Sequence, residues 1–312
     1  VVGLGALGSV AAEILCRAGV GNLILIDRDC VELSNLHRQT LYSEADATAG
    51  VPKAVAGERR LSELNSELQL SALTEELTRR NAGRLLESAD LVVDGTDNRD
   101  SRYAINDAAL ELGLPWVHGA ATATYGVVLP FMPGGAPCFR CYAPEGEGGE
   151  AGGCALTGVL AATTHIVGAR QASECMRILV TGEATPGMLY LDPWYGVEER
   201  LEVPPRRDCP GCGEAAFEIR NATDLPGGEL PSCEELCGDG TVRIRPERER
   251  ALSLATLAAA LPELAILSAA EGVLRFRAEE SEVTLFADGR ALIRGAGSAG
   301  RARRIYSEYV GG

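Results

Sequence analysis

Only one lysine, Lys53, is present among the 29 lysine and arginine residues of this 312-residue chain. The lysine ammonium is a compact charge on a flexible stem that suits a single phosphate oxygen, whereas arginine is a planar fork. A site that needs the lysine geometry would keep it while other positions changed to arginine. The alternative is that Lys53 has persisted by chance on a solvated helix face. The residues around Lys53 decide between a phosphate-binding role and this alternative.

A phosphate-binding turn is predicted at the start of the chain. The spacing G-x-G-x-x-G places Gly3, Gly5 and Gly8 between the end of a strand and an apolar helix. Glycines allow the backbone to approach a phosphate group at the helix N-terminus. The next strand ends at Asp27, 19 residues after Gly8, where a carboxylate meets a ribose hydroxyl in many nucleotide-binding folds. The pattern indicates an adenine nucleotide but does not separate NAD or FAD from ATP.

Charged residues after the second strand favour a nucleoside triphosphate. A dinucleotide needs little cationic help, whereas a triphosphate needs side-chain cations and a divalent ion. Arg38 and Lys53 supply two cations, and Asp29 and Asn35 add polar groups. Asp97 follows the next buried strand, where open α/β sheets bind ligands, and its carboxylate suits Mg²⁺. The alternative for Asp97 is to cap the helix that follows it.

Two C-x-x-C pairs predict a metal centre. Cys138 and Cys141 form the first pair, and Cys209 and Cys212 form the second. Four thiolates from two such turns match a closed tetrahedral zinc site. Because the pairs are far apart in the chain, the zinc would join two distant segments and have a structural role. Redox-active thiol pairs are the alternative.

Cys154 lies in a loop rich in glycine and glutamate, just before a long predicted helix. A thiol near a helix N-terminus has a lowered pKa and is a better nucleophile. Glu147 and Glu150 oppose thiolate formation, so a catalytic role and a spectator role both stay open. Three other cysteines are expected to be small buried side chains, namely Cys16, Cys30 and Cys175. Cys233 and Cys237 are spaced C-x-x-x-C, but two further ligands are not apparent.

Four sequence blocks occur in the order GLGALG, IDRDCVELSNLHRQT, PK and DGTDN. Over roughly residues 1 to 215 they resemble the adenylation fold shared by ThiF, MoeB, HesA and the ubiquitin-activating enzymes. The resemblance implies an α/β fold with a Rossmann-like, doubly wound and mostly parallel sheet and a zinc-stapled crossover region. It also implies ATP-dependent adenylation of the C-terminal glycine of a ubiquitin-like sulfur carrier of the ThiS or MoaD type. Pyrophosphate would be released, and the pathway, thiamine or molybdopterin biosynthesis, stays open.

The resemblance implies roles for individual residues. Asp27 would bind the ribose, while Asn35, Arg38 and Lys53 would contact the triphosphate. Asp97 would bind Mg²⁺ near the reacting phosphate, and Cys154 would take the acyl group or relay sulfur. The expected ATP contacts are Gly3, Gly5, Ala6, Gly8, Asp27, Asp29, Ser34, Asn35, Leu36, His37, Arg38, Lys53, Asp97 and Asn98. Relatives usually carry glycine in place of Ala6, and a helix that donates an arginine across a dimer is expected to precede this sequence.

The partners implied are a sulfur carrier ending in Gly-Gly, a second copy of the chain in a homodimer, and a cysteine desulfurase or rhodanese as sulfur donor. The net charge of −15 argues against nucleic acid, because a basic patch is needed to bind a phosphate backbone. The apolar runs are too short for a membrane span, and the cysteine usage favours the cytoplasm. The terminal pair Gly311-Gly312 allows a fused carrier as an alternative, but a predicted helix runs almost into it.

The elements needed to position these residues suggest two domains. We predict an adenylation domain over residues 1–220, a linker over 221–240 and a small α+β domain over 241–312. The main predicted elements are strands at 22–26, 89–93, 241–245, 273–277, 282–286 and 291–294, and helices at 9–19, 99–112, 157–181, 253–261 and 298–309. His37 is expected to line the nucleotide pocket, whereas His118 and His165 are expected to be structural.

Two other functions fit part of the pattern. An NAD-binding Rossmann oxidoreductase would explain the glycine turn and Asp27, but it gives no role to Arg38, Lys53, Asp97 or the cysteine pairs. A non-catalytic scaffold subunit would keep the fold without the chemistry, and the presence of Arg38, Lys53 and Asp97 argues against it.

Overall fold

The computed structural model describes residues 1–145, 158–213, 233–235, 241–246, 252–261, 265–270 and 272–310. It divides into two compact units. The first comprises residues 1–47 and 53–225, and the second comprises residues 48–52 and 226–312. Cys154, Cys237 and the terminal Gly311-Gly312 lie outside the described residues.

The first unit is built on a mostly parallel sheet. Its strands are β1 (Asn22–Ile26), β2 (Gln69–Leu73), β3 (Val92–Asp94), β4 (Trp116–Thr122), β5 (Tyr125–Phe131), β6 (Met188–Asp192) and β7 (Val197–Leu201). β1 pairs in parallel with β2, and β3 pairs in parallel with β4. Val2 joins the two pairs through parallel bridges to Ile26 and Asp94. The start of the chain is therefore the central strand, and β5, β6 and β7 extend the sheet antiparallel.

Helices cover both faces of this sheet, as expected for a doubly wound fold. They are α1 (Gly8–Arg17), α2 (Glu44–Ala49), α3 (Lys53–Leu64), α4 (Ala82–Leu86), α5 (Arg99–Leu112), α6 (Phe139–Tyr142) and α7 (Ala161–Thr181), with a 3₁₀ turn at Leu33–Asn35. Neighbouring strand residues point to opposite cores, so that Val93 packs with α1 and α7 and Val92 packs with α5. The predicted α/β fold class is confirmed.

The third strand differs from its prediction in a way that matters for the site. It was expected at residues 89–93, but it comprises Val92–Asp94 because Asp94 pairs with both Val2 and His118. Asp94 is thus the last residue of a central strand, with a fully buried side chain. The following helix has its predicted bounds, because Asn98 caps it and Gly113 ends it with a left-handed φ of 68°.

In its described residues, the second unit contains an antiparallel sheet and two helices. Its elements are β8 (Cys233–Glu235), β9 (Val242–Ile244), α8 (Leu254–Ala260), β10 (Ile266–Ala270), β11 (Val273–Ala278), β12 (Ser281–Phe286), β13 (Ala291–Arg294) and α9 (Ala299–Tyr309). The strand order is β10-β11-β12-β13-β9-β8, and the predicted meander of β11, β12 and β13 is confirmed. β8 corrects the prediction that 221–240 is only a linker, because Cys233 is buried and β8 pairs with β9. Among the described helices, none has the length and apolar character needed to cross a bilayer.

Candidate nucleotide site and four-cysteine centre

The glycine turn lies where the central strand meets α1. Gly3 has a φ of 80°, and a Cβ atom there would lie 2.8 Å from the carbonyl carbon of Gly95. A Cβ atom on Gly8 would lie 1.8 Å from the carbonyl oxygen of Gly3. Only glycine fits such close backbone packing. Gly5 and Ala6 lie between them, at the N-terminus of a ten-residue helix that favours anionic groups.

Asp27 is fixed by backbone donors at the end of β1. Its Oδ2 atom accepts a hydrogen bond from the Leu4 amide at 2.6 Å, and its Oδ1 atom accepts one from the Asp29 amide at 2.8 Å. Burial raises the pKa of the Asp27 carboxyl, and the charge of Lys53 opposes that shift. Each oxygen keeps a further lone pair, so the carboxylate can still accept a hydrogen bond from a ligand hydroxyl.

Lys53 begins α3 and is buried, with 7% of its surface exposed. Its Nζ atom lies 3.3 Å from Oδ2 of Asp29, and its amide donates to the Asp29 carbonyl at 2.8 Å. Burial lowers the pKa of Lys53, but the carboxylates of Asp29, Asp27 and Asp97 more than offset this and hold it above its ordinary range. A permanently charged ammonium is therefore held among three carboxylates at the carboxyl edge of the sheet.

The 3₁₀ turn presents the next group of predicted contacts. Asn35 is buried, and its Oδ1 atom accepts from the Glu32 amide at 3.3 Å. Arg38 donates from Nη1 to the Ser34 carbonyl at 2.9 Å, and Nδ1 of His37 lies 3.0 Å from the same oxygen. Leu36 and Arg38 are partly exposed and His37 is exposed, so these side chains are accessible to a ligand.

Asp97 lies in the loop between β3 and α5. It is exposed, and Asn98 caps α5 by accepting from the Ser101 amide at 2.9 Å. The capping role considered for Asp97 therefore belongs to Asn98. After Asp29, whose charge has the larger effect, the charge of Asp97 also contributes to the raised pKa of both Lys53 and Arg28.

The structure thus brings together the loops after three adjacent parallel strands, at the topological switch point where such sheets bind ligands. Cys154 cannot be compared with them, because it lies outside the described residues.

Sequence reasoning missed several residues here. Arg28 forms an ion pair with Glu76. Gln39 has a buried Oε1 atom without a hydrogen-bond partner among the described residues. Gln39 could have been found from the sequence, because it follows His37 and Arg38 directly. Glu76 could not, because its pairing with Arg28 depends on the register of β1 and β2.

The four cysteines of the C-x-x-C pairs converge. The Sγ atoms of Cys138 and Cys209 are 3.6 Å apart, those of Cys141 and Cys212 are 3.5 Å apart, and all four lie within 4.8 Å of one another. A zinc–sulfur bond of about 2.3 Å places tetrahedral sulfur ligands about 3.8 Å apart, so the cluster fits zinc. Burial raises the pKa of the Cys138 thiol, so a cation is needed to hold it as a thiolate.

The centre is anchored to the nucleotide-binding unit through α5 and α6. Arg140 is buried and forms a two-pronged hydrogen bond with Asp107, at 2.9 and 2.6 Å. Phe139 donates its amide to Oδ1 of Asn106 at 2.8 Å. Cys16 and Cys175 are buried as predicted, whereas Cys30 is only partly buried. Cys233 contacts the Ala299 carbonyl at 3.5 Å in the second unit.

Fold and site together define an α/β nucleotide-binding protein with a buried lysine beside its phosphate loop and a separate four-cysteine centre. The chain belongs to the ThiF family, whose model matches residues 1–211. It is an adenylyltransferase, which sets aside the oxidoreductase and scaffold alternatives.

Two relatives and one solved structure illustrate the similarity. The sulfur carrier protein ThiS adenylyltransferase of Bacillus subtilis is 35% identical over 316 residues, covering 100% of this chain and 92% of that protein. The sulfur carrier protein adenylyltransferase of Thermus thermophilus is 39% identical over 246 residues, covering 76% and 87%. The crystal structure of E. coli MccB with succinimide has a TM-score of 0.59 at 21% identity, covering 68% of this chain and 64% of that one. The last similarity concerns the fold alone.

Proposed function

We propose that this adenylyltransferase activates the C-terminal glycine of a ubiquitin-like sulfur carrier with ATP. The relatives from B. subtilis and T. thermophilus are named for sulfur carrier proteins. The observation that carries the proposal is the buried ammonium of Lys53, which lies 3.3 Å from Asp29. Its charge also acts on Asp27, whose carboxylate accepts a hydrogen bond from the Leu4 amide in the glycine turn. A nucleotide with three phosphates needs such a cation.

Each residue of the cluster has a role in this proposal. Asp27 accepts a ribose hydroxyl, and the amides around Gly5 and Ala6 face the phosphates. Lys53 and Arg38 contact phosphate oxygens, with Ser34, Asn35, Leu36 and His37 forming the wall between them. The exposed carboxylate of Asp97 suits Mg²⁺, which prefers oxygen ligands. Mg²⁺, when bound, offsets negative charge on the phosphate oxygens.

The reaction needs positioning and charge neutralisation more than acid–base chemistry. A carboxylate oxygen of the carrier's terminal glycine attacks the α-phosphorus of ATP. The bond from that phosphorus to the bridging oxygen breaks, and pyrophosphate leaves with the electron pair. The nucleophile is already ionised, so no protein base is required. Lys53 stabilises the charge that develops on the phosphate oxygens.

The carrier is of the ThiS type in this proposal. The B. subtilis relative is named for ThiS and aligns over the whole chain, including the second unit. Sulfur transfer then follows adenylation. The Cys154 thiolate either attacks the acyl-adenylate to form a thioester and releases AMP, or passes on sulfane sulfur received from the persulfide of a desulfurase or rhodanese. The protein acts as a homodimer in this proposal. The four-cysteine centre holds zinc as a structural element.

The proposal is tested by pyrophosphate exchange into ATP with purified carriers. We expect exchange with a ThiS-type carrier ending in Gly-Gly, and at least about tenfold less with the same carrier lacking its last glycine. A MoaD-type carrier is the comparison that separates the two pathways. Absence of exchange with every Gly-Gly carrier, while calorimetry detects ATP binding, would contradict adenylation of a carrier.

A further inference from the structure

A polar cluster lies buried directly beneath the loop that carries Asp97. Its members are Asp94, Thr96, Arg102 and His118. Asp94 has no exposed surface, His118 is 1% exposed, and the Arg102 side chain is 15% exposed. Polar groups at such depth cost free energy unless they are hydrogen-bonded, and each member of this cluster makes such a bond.

Thr96, the residue before Asp97, is held from both sides by this cluster. Its amide and its Oγ1 hydroxyl donate to Oδ1 of Asp94 at 2.9 and 2.6 Å. Its carbonyl accepts from Nη2 of Arg102 at 2.7 Å. On the other side of Asp97, Asn98 is fixed as the cap of α5. Both neighbours of Asp97 are therefore held by hydrogen bonds. Thr96 is held by the side chains of Asp94 and Arg102, and Asn98 is held as the cap of α5.

His118 fixes the Asp94 carboxylate. Its Nδ1 atom lies 2.7 Å from Oδ2 of Asp94, and the register of β3 and β4 places the two residues side by side. Burial lowers the pKa of His118, while its hydrogen bond lowers the pKa of Asp94 against the opposing effect of burial. The pair is thus a neutral imidazole that donates from Nδ1 to a carboxylate. The rings of Phe139 and Tyr142 lie 5.2 and 5.8 Å from the imidazole and fix its plane.

The same loop also supports the phosphate-binding turn. The Gly95 amide donates to the Val2 carbonyl at 2.8 Å, and a Cβ atom on Gly95 would lie 2.5 Å from the Gly3 carbonyl oxygen. Gln171 of α7 donates to the Asp94 carbonyl at 2.8 Å. A shift of Asp94 would therefore move Asp97 and the glycine turn together. A misplacement of about 1 Å can slow a reaction on the order of a hundredfold.

We propose that His118 is a positioning residue for adenylation, acting through Asp94 and Thr96 to hold Asp97 where it binds magnesium with ATP. This inference rests on the proposed function in taking Asp97 as the magnesium ligand. His118 itself touches neither nucleotide nor carrier in this scheme. Its contribution is the single hydrogen bond from Nδ1.

The experiment compares two substitutions of His118 in the full chain. His118→Phe keeps an aromatic ring but removes the donor, and it leaves the Asp94 carboxylate without that bond. His118→Asn keeps an amide N–H close to the position of Nδ1 and is the conservative rescue. His165→Phe, the same change at a partly buried histidine of α7, is the matched control. Thr96→Val, which removes only one hydroxyl beneath Asp97, is the second variant if His118→Phe does not fold.

We measure carrier-dependent pyrophosphate exchange over a range of magnesium concentrations, together with magnesium–ATP binding by calorimetry. We expect His118→Phe to lower kcat at least about tenfold and to raise the half-saturating magnesium concentration at least about threefold, with the KM for the carrier within about twofold. His118→Asn should recover at least about half of the loss in log kcat that His118→Phe causes. Thr96→Val should show the same magnesium shift, and His165→Phe should show neither effect.

An unchanged magnesium requirement in folded His118→Phe, or in Thr96→Val, would overturn the inference. A folded His118→Asn variant as impaired as His118→Phe would also overturn it, since the donor would then not be the important feature. If the unmodified protein shows no exchange with any carrier, the proposed function fails, and calorimetry still decides the inference. Weaker magnesium–ATP binding in His118→Phe than in His118→Asn supports it in that case, and equal binding rejects it.

Discussion

Lys53 is the single lysine of the chain, and its side chain is both buried and charged. A lone buried ammonium is costly, and burial alone would lower its pKa. Asp29, Asp27 and Asp97 outweigh that effect, so the charge remains and its position is fixed by the 3.3 Å contact with Asp29. An arginine at this position would carry the same charge on a larger planar group, at a residue with only 7% of its surface exposed.

Lys53→Arg is therefore expected to keep the fold and the net charge but to slow adenylation at least about tenfold. Pyrophosphate exchange and thermal unfolding measure the two properties. Arg60→Lys is the matched reverse exchange on the same helix, where Arg60 is exposed and pairs only with Glu63 among the described residues. It should leave the rate unchanged. Near-normal turnover by Lys53→Arg would show that adenylation does not depend on the lysine geometry at this position.

The stability of the protein should depend on pH through His118. Burial lowers the pKa of its imidazole below the ordinary value of 6.5, so below that pH the unfolded chain binds a proton that the folded chain does not. The free energy of unfolding should therefore fall as the pH drops from 6.5, by at most about 1.4 kcal/mol per pH unit for this one group. Asp94, whose pKa is lowered from 3.8, contributes its own loss only in stronger acid.

Urea unfolding between pH 7 and pH 5 tests this expectation. His118→Asn lacks the titrating group, so its free energy of unfolding should vary less with pH over this interval than that of the unmodified chain. Parallel curves for the two proteins would show that His118 is not the group responsible.

At the scale of elements, the sequence predicted the features that depend on residues close together in the chain. α5 has its predicted bounds because Asn98 and Gly113 cap it within the sequence itself. The Asp94–His118 pair joins residues 24 positions apart, and it exists only because β3 lies beside β4 in one register. Because the sequence does not show which strands are neighbours, His118 was expected to be an ordinary structural histidine. The four cysteines were predicted because C-x-x-C spacing is local, although their 71-residue separation had to be closed by the fold.

The junction of the central strand and α1 should tolerate no side chain at Gly8. An alanine Cβ atom there would lie 1.8 Å from the Gly3 carbonyl oxygen, so the helix start has to move away from the phosphate-binding turn. We expect Gly8→Ala to weaken ATP binding at least about tenfold, as measured by calorimetry. Gly83→Ala in α4, where nothing lies within 4 Å of the added atom, should leave ATP binding unchanged and stabilise the helix by up to about 1 kcal/mol. Equal ATP binding by both variants would contradict the role assigned to the turn.

The four-cysteine centre should act as a staple between α6 and the turn at residues 209–212. Cys212→Ser should lower the zinc content, measured by atomic emission on purified protein, and reduce the free energy of unfolding by more than about 2 kcal/mol. Cys233→Ser is the control, because Cys233 belongs to the core of the second unit and not to the centre. An equal zinc content in both variants would refute the staple, whereas loss of zinc without loss of ATP binding would fit its structural role.

At the scale of the whole molecule, the residues proposed for catalysis and for metal binding lie in one unit. Every described residue assigned to the nucleotide, and all four cysteines of the centre, lie between residues 3 and 212. The two cores flanking the first sheet contain residues no later than 203, whereas the core of the second unit is made of residues from 233 onward. Each unit therefore has its own hydrophobic core, as independently folding domains do.

A chain ending at residue 225 is accordingly expected to fold and to bind ATP within about threefold of the full chain, because no core residue of the first unit is removed. Calorimetry measures ATP binding, and pyrophosphate exchange measures use of the carrier. Circular dichroism and a single thermal transition check that the shortened chain is folded. Loss of ATP binding in a folded truncated chain would contradict the assignment of the site to the first unit. Retained ATP binding with a raised KM for the carrier would keep that assignment and make carrier binding the task of the second unit.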